Sequence, residues 1–275
     1  MEEKLKIVES LKDSMKLTDI RRNIRELGRF HMAVSFAVKE SYVYRARTKP
    51  IDWTPLEVSE LSNIRDPKEF KKIKRGRANL PRQSVFYGCT LPDYRHEYQR
   101  DCILTALEES YQIQSEIIRE GFSYVTCWQI KKDFPVVAFL NYVHPRESDY
   151  IKQYRLQFVE DCNKKHGDDS YVLEINNRLS SLMAKDYNKN DKYKYKVSSE
   201  MIDRIISTGE AGGIVYPSVA SKGLALNLAI FDPYVAALEL VQISKYRIRK
   251  SADYLDSLCL KANIPFKNDD IITNQ

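Results

Sequence analysis

The sequence predicts an α+β protein: a mixed β-sheet core flanked by helices, with an N-terminal helical extension. Three observations predict that class. Two stretches near the amino end place apolar residues at steps of three and four, the period of a helix with one buried face. From Ser41 onward, six short segments rich in β-branched and aromatic residues are bounded by Gly, Pro, Asp or Lys, as strands are. Between those segments lie longer stretches with helical spacing, two of them followed by glycine.

The helical extension takes residues 1–40. Leu5, Val8, Leu11 and Met15 share one face of a first helix over residues 2–17, and Thr18 as N-cap opens a second with Ile20, Ile24 and Leu27. Amphipathic helices of this kind pack or dimerise, so they are compatible with a homodimer. Arg21, Arg22 and Arg25 raise the alternative of a nucleic-acid arm, but Asp19 and Glu26 interrupt the positive run.

The main unit spans residues 41–235. Its strands are YVYRAR, SVFYGCTL, FSYVTCWQI, DFPVVAFLNYV, GGIVYPSV and LALNLAIFD. Helices are expected over 101–120, stopped by Gly121, over 147–165, over 171–185, and over 199–207, stopped by Gly209. The polar stretch DYNKNDKYKYK at 186–196 reads as a solvated connecting loop, with a stacking surface for single-stranded nucleic acid as the alternative. Residues 236–275 read as a helical segment, from the spacing of Ala237, Leu240, Val241 and Ile243, followed by a polar tail. The chain carries no internal repeat.

Composition narrows the function classes. With 275 residues, 43% apolar and 11% aromatic, the chain can bury a sizeable core. Forty-four Lys and Arg against 38 Asp and Glu leave a net charge of +6, spread along the chain, which favours a phosphate-bearing ligand only weakly. Cys89, Cys102, Cys127, Cys162 and Cys259 are odd in number and form no CxxC pair, against both a disulfide framework and a zinc site. The charged amino end lacks the apolar stretch of a secretory signal, and the longest apolar run, FPVVAFL, is too short for a bilayer, so a cytoplasmic protein without membrane contact is expected. The four histidines are scattered without ligand spacing, which speaks against a metal, and there is no G-x-S-x-G turn. TGEAGG at 208–213 precedes a strand, whereas a dinucleotide fingerprint follows one.

What remains is a set of polar residues within apolar segments. In RGRANLPRQSVFYG, Arg77 and Asn79 precede a turn and Tyr87 lies in the next strand. An arginine there can present its donor fork to a phosphate, and a tyrosine ring can face a planar heterocycle. In CILTALEESYQI, one apolar stripe runs through Ile103, Leu107, Tyr111 and Ile118. Glu109 shares a second line with Cys102, Ala106 and Ile113, while Glu108 faces solvent. A carboxylate on such a half-apolar face can pair with a developing positive charge. In GGIVYPSVASKGLALNLAIFDP, Ser218 ends one strand and Asn227 sits inside the next, where polar side chains need partners. Taken singly, each residue also has a structural explanation: a surface arginine, a core tyrosine, an ion-paired glutamate, a capping serine.

Together and in this order, YRAR, GRAN, FYG, TALEE, GIVYPSV and NLAIFDP resemble the RES-domain family, over about residues 42–234. The resemblance implies a fold similar to the diphtheria-toxin-like ADP-ribosyltransferases. It also implies consumption of NAD⁺ by hydrolysis or phosphorolysis of the nicotinamide–ribose bond, as in toxins of bacterial toxin–antitoxin pairs. The family's Arg, Tyr, Glu and Ser match Arg77, Tyr87, Glu109 and Ser218, and its earlier Arg matches Arg45, with Arg47 as the alternative. Arg77 and Arg45 would then hold the pyrophosphate, Tyr87 would stack on nicotinamide, Ser218 would position the ribose or phosphate, and Glu109 would stabilise the charge left as nicotinamide departs. NAD⁺ is the substrate, no metal is implied, and a neutralising antitoxin protein would be the partner. Two departures mark the pocket mouth: the inserted LPDYRHEYQRD, together with an insertion between Arg47 and Arg77, and Ala220 where relatives carry a basic residue. Protein ADP-ribosyl transfer, or a non-catalytic module holding a protein or nucleic acid, are the competing readings.

Overall fold

In the computed structural model, the apolar segments form one mixed nine-stranded sheet with strand order β1-β5-β6-β7-β3-β2-β4-β8-β9. The structure describes residues 2–28, 32, 34–49, 55, 57–91, 99–114, 120–141, 147–166, 170–187, 191, 193–250 and 255–261. The strands are β1 (Val34–Ala37), β2 (Tyr42–Lys49), β3 (Val85–Thr90), β4 (Glu120–Ile130), β5 (Phe134–Ala138), β6 (Gly213–Pro217), β7 (Leu226–Phe231), β8 (Leu238–Lys250) and β9 (Leu255–Lys261). The helices are α1 (Glu2–Ser10), α2 (Leu17–Glu26), α3 (Gln99–Gln114), α4 (Asp149–His166), α5 (Ser170–Met183) and α6 (Lys196–Ile206). All neighbouring strands run antiparallel except β5 and β6. No helix among the described residues is long and apolar enough to cross a membrane.

Alternation along the strands sorts the sheet into two faces. On one, Tyr87 opposes Ala229, which opposes Ile214, while Cys89 opposes Asn227, which opposes Tyr216. Helices α5 and α6 cover this face: Leu179, Met183, Met201 and Ile202 share a core with Val137, Ile214, Tyr216 and Ala229. Val8, Leu11, Ile20, Ile24 and Leu27 join the same core, so α1 and α2 form a further layer over α5 and α6. Helix α3 covers the face over β2, where the Thr48 amide and hydroxyl both bond Ser110 Oγ at 3.0 Å. The opposite face holds Val43, Arg45, Phe86 and Trp128 and is met by α4, whose Tyr154 hydroxyl lies 3.4 Å from Ser35 Oγ.

Several expected boundaries are corrected. The first helix ends at Ser10, and the second opens at Leu17 with Lys16, not Thr18, at the N-cap, where no side chain caps it. Gly121 does not stop a helix: it lies within β4, opposite Ile248. The stretch read as a C-terminal helix is β8, an inner strand between β4 and β9. Its apolar residues fit either period, but the segment pairs with β4 from Leu238 to Arg249, and Val241, skipped between the paired Leu240 and Gln242, is 53% exposed while Ile243, opposite Thr126, is 4% exposed. Residues 92–98 of the expected insertion at 91–101, the helix end at 115–119 and the polar tail at 262–275 lie outside the described residues, while 99–101 of that insertion open α3.

Candidate active site

The site forms on the face that carries Tyr87 and Asn227, over which α3, α5 and α6 pack. Helix α3 turns Cys102, Thr105, Ala106 and Leu107 inward, all 3% exposed or less, so the line shared with Glu109 is buried along with Leu107. Glu109 is half-buried at its end. Its Oε1 accepts from Ser218 Oγ at 2.7 Å and from Asn227 Nδ2 at 2.6 Å. Oε2 has no hydrogen-bond partner among the described residues.

Both donors are fixed in turn. Asn227 opposes Cys89 and Tyr216 in neighbouring strands, and its Oδ1 accepts from Cys89 Sγ at 3.4 Å. Ser218 is fully buried and directly follows β6: its amide donates to the Ala225 carbonyl at 3.1 Å, and its carbonyl accepts from the Gly223 amide at 2.8 Å. The loop between them turns through Lys222 and Gly223, both with positive φ. Ala220 is 8% exposed in this loop. Next to Glu109, partial burial raises the carboxyl of Glu108, offset by the charge of Lys222 and reinforced by that of Glu109.

The second half of the site is cationic and aromatic. The Arg77 guanidinium lies 5.0 Å from the centre of the Tyr195 ring and 5.8 Å from that of Tyr187. Those two rings meet edge to face at 4.9 Å. Arg77 Nη1 donates to the carbonyls of Met183 and, at 3.0 Å, Lys185, which leaves Nε and Nη2 without hydrogen bonds among the described residues. The stretch expected to be a solvated loop therefore packs its tyrosines on Arg77. Tyr193, by contrast, is exposed.

Tyr216 links the two halves. It is 3% exposed, and burial pushes its phenol well above the ordinary range, with Arg77 and Glu109 acting on it in opposite directions. Sequence reading missed Tyr187, Tyr195 and Tyr216. The Tyr-rich loop was visible as a composition signal, while Tyr216 looked like any strand aromatic.

The other expected contacts are placed differently. The Tyr87 hydroxyl donates to Asn79 Oδ1 at 2.8 Å and accepts the Ala78 amide at 2.9 Å, and Asn79 Nδ2 donates to the carbonyls of Lys74 and Leu80. Asn79 thus spends its amide on the turn that presents Arg77 and is corrected from a substrate contact to a scaffold. Gly76 is required there, because a Cβ would run into Asn79 Oδ1 and the Tyr87 hydroxyl.

Arg45 is also corrected. Alternation turns it to the opposite face, where it is 8% exposed and donates to the carbonyls of Leu61 at 3.1 Å, Tyr87 at 2.6 Å and Ser62 at 3.3 Å. Burial, then the charge of Arg47, pushes its guanidinium well below the usual arginine range. It is no second anion anchor. Its alternative, Arg47, donates to the Ser62 carbonyl at 2.7 Å. Among the described residues no group of three or more His, Cys, Asp or Glu is placed to hold a metal ion.

The arrangement offers a preorganised carboxylate and a cation beside two packed aromatic rings, on a sheet face that also carries the buried phenol of Tyr216. No protein-family model matches the chain, and no curated protein sequence matches it.

Proposed function

We propose that this protein consumes NAD⁺ by breaking its nicotinamide–ribose bond, and that its sheet and flanking helices are a RES-like, ADP-ribosyltransferase-like version of the mixed architecture. The observation that carries the reading is the state of Glu109, with one oxygen held by Ser218 and Asn227 and the other free of hydrogen bonds among the described residues. The resemblance of the GRAN, TALEE and YPSV segments supports it, because these segments supply Arg77, Glu109 and Ser218.

In this reading the NAD⁺ pyrophosphate takes the open Nε and Nη2 donors of Arg77. As the C1′–N bond breaks, nicotinamide leaves with the bonding electron pair and positive charge develops on the ribose. Glu109 Oε2 accepts from the ribose 2′-hydroxyl or the attacking water. Because Ser218 and Asn227 fix the carboxylate beforehand, its charge stabilises the oxocarbenium-like state without reorganising. Water then completes hydrolysis, giving ADP-ribose, nicotinamide and a proton, or inorganic phosphate takes the same position. In a toxin–antitoxin setting, the neutralising protein would cover this crevice.

The test is nicotinamide release from NAD⁺ by purified protein, with and without inorganic phosphate. Release is expected, and NAD⁺ that stays intact under both conditions overturns the reading. Labelled acceptor protein alongside nicotinamide would instead identify ADP-ribosyl transfer.

A further inference from the structure

We propose that Asp13, in the turn between α1 and α2, is a positioning residue for Arg77, so that the amino-terminal helix pair belongs to the binding apparatus. The proposal rests on the reading of Arg77 as an anion contact for NAD⁺. Asp13 is 4% exposed, and both its oxygens are engaged far along the chain.

The first engagement compensates for a defect in α6. The N-cap of that helix is Tyr195, in the left-handed region at φ 66°, with no side-chain cap of its own. An N-cap side chain normally accepts from the second or third amide of its helix. Here the Val197 amide donates at 2.9 Å to Oδ1 of Asp13, a residue 184 positions earlier in the chain. A carboxylate at that end also meets the positive pole of the helix.

The second engagement reaches the site. Asp13 Oδ2 accepts from the Tyr187 hydroxyl at 2.6 Å and from Lys185 Nζ at 3.3 Å. The groups that hold Arg77 include the Lys185 carbonyl and the rings of Tyr187 and Tyr195. Asp13 bonds the side chains of Lys185 and Tyr187, and it fixes the helix start that carries Tyr195. Lys185, Tyr187 and Tyr195, side chains with rotamer freedom to lose, are thereby held in place around the guanidinium. Loss of the Asp13 carboxylate would let Arg77 leave its place beside the two rings.

The experiment compares Asp13→Ala, Asp13→Asn and Tyr187→Phe with the unaltered protein by NAD⁺ kinetics and by hydrogen exchange across residues 183–199. Asp13→Ala is expected to raise KM on the order of tenfold with kcat within about twofold, since an anchor that grips substrate and transition state alike acts on KM. Exchange at Val197 should quicken. Asp13→Asn keeps an acceptor for the Val197 amide, and Tyr187→Phe keeps the cap while cutting only the link to the ring, so both should raise KM by a smaller factor. If Asp13→Ala does not fold, these two variants decide. Unchanged KM in both overturns the proposal, as does faster exchange in Asp13→Ala without a rise in KM, which would mark Asp13 as a cap alone. If the unaltered protein leaves NAD⁺ intact, the function reading fails by itself, and titration with inorganic pyrophosphate decides the positioning role. Weaker binding by Tyr187→Phe then supports it, and equal binding overturns it.

Discussion

The hydroxyl of Tyr87 donates to Asn79 Oδ1 at 2.8 Å, closing from the strand side the turn that carries Arg77. Because that hydroxyl also accepts the Ala78 amide, Tyr87→Phe strands two buried polar groups at once. The expected cost is about 1–3 kcal/mol of stability. Thermal unfolding measures it, and a melting temperature equal to that of the unaltered protein would show that another group closes the turn.

The turn illustrates what the sequence carries and what it does not. The six strands, and the order in which Arg77, Tyr87, Glu109 and Ser218 occur along the chain, were legible because strand composition and motif order are local properties. Glu109 was legible as a half-apolar carboxylate because residues one turn apart share a helix face. Which sheet face Arg45 takes, and that Tyr195 returns to Arg77, depends on register and on chain returning from more than a hundred residues away. Asp13 had no signal at all: it falls within the first expected helix, residues 2–17, off its apolar face, where a single acidic residue reads as solvated. The β8 segment misled because Leu240, Val241 and Ile243 satisfy both helical and strand spacing.

Removing one donor from the carboxylate should separate chemistry from folding. Asn227→Ala leaves Glu109 Oε1 with Ser218 alone. Loss of a preorganised electrostatic contact typically costs on the order of 100-fold in turnover. Glu109→Gln should cost at least as much, since it removes the charge itself. Nicotinamide release measures both, and full activity in Glu109→Gln would remove that residue from the mechanism.

Arg45 and Arg77 should respond in opposite ways. Arg45→Met takes a donor from the carbonyls of Leu61 and Tyr87, while Ser62 keeps Arg47, an expected loss of roughly 2 kcal/mol or more. Denaturant unfolding should report it, and any activity should scale with the folded fraction. Arg77→Met should instead raise KM while the denaturation midpoint moves less than it does for Arg45→Met. The reverse pattern would return Arg45 to the anion site.

Asp203, in α6, supplies a test by pH. Partial burial chiefly, and then the charge of Glu200, raise its carboxyl above the ordinary range, against a bond from Gln83 and the charges of Arg21 and Arg75. A carboxyl raised in the folded state favours its protonated form there. That stabilisation is complete below the unfolded value and is lost as pH climbs through the folded value. Asp203→Asn should therefore raise the melting temperature near pH 7 and leave it unchanged near about pH 3, where the acid is already protonated. A lower melting temperature near pH 7 would show that the Gln83 bond outweighs the buried charge.

The placement of β8 bears on how the chain can be shortened. A chain cut after residue 235, where the expected main unit ends, would keep every site residue named above and yet strip β4 of its partner β8, leaving it only β2. Eleven residues of strand, Glu120–Ile130, would then present an unpaired backbone along the new rim of the sheet. A row of open amides and carbonyls of that length is a template for pairing with another chain. The trimmed protein would therefore self-associate through a surface that the full chain keeps inside its own sheet.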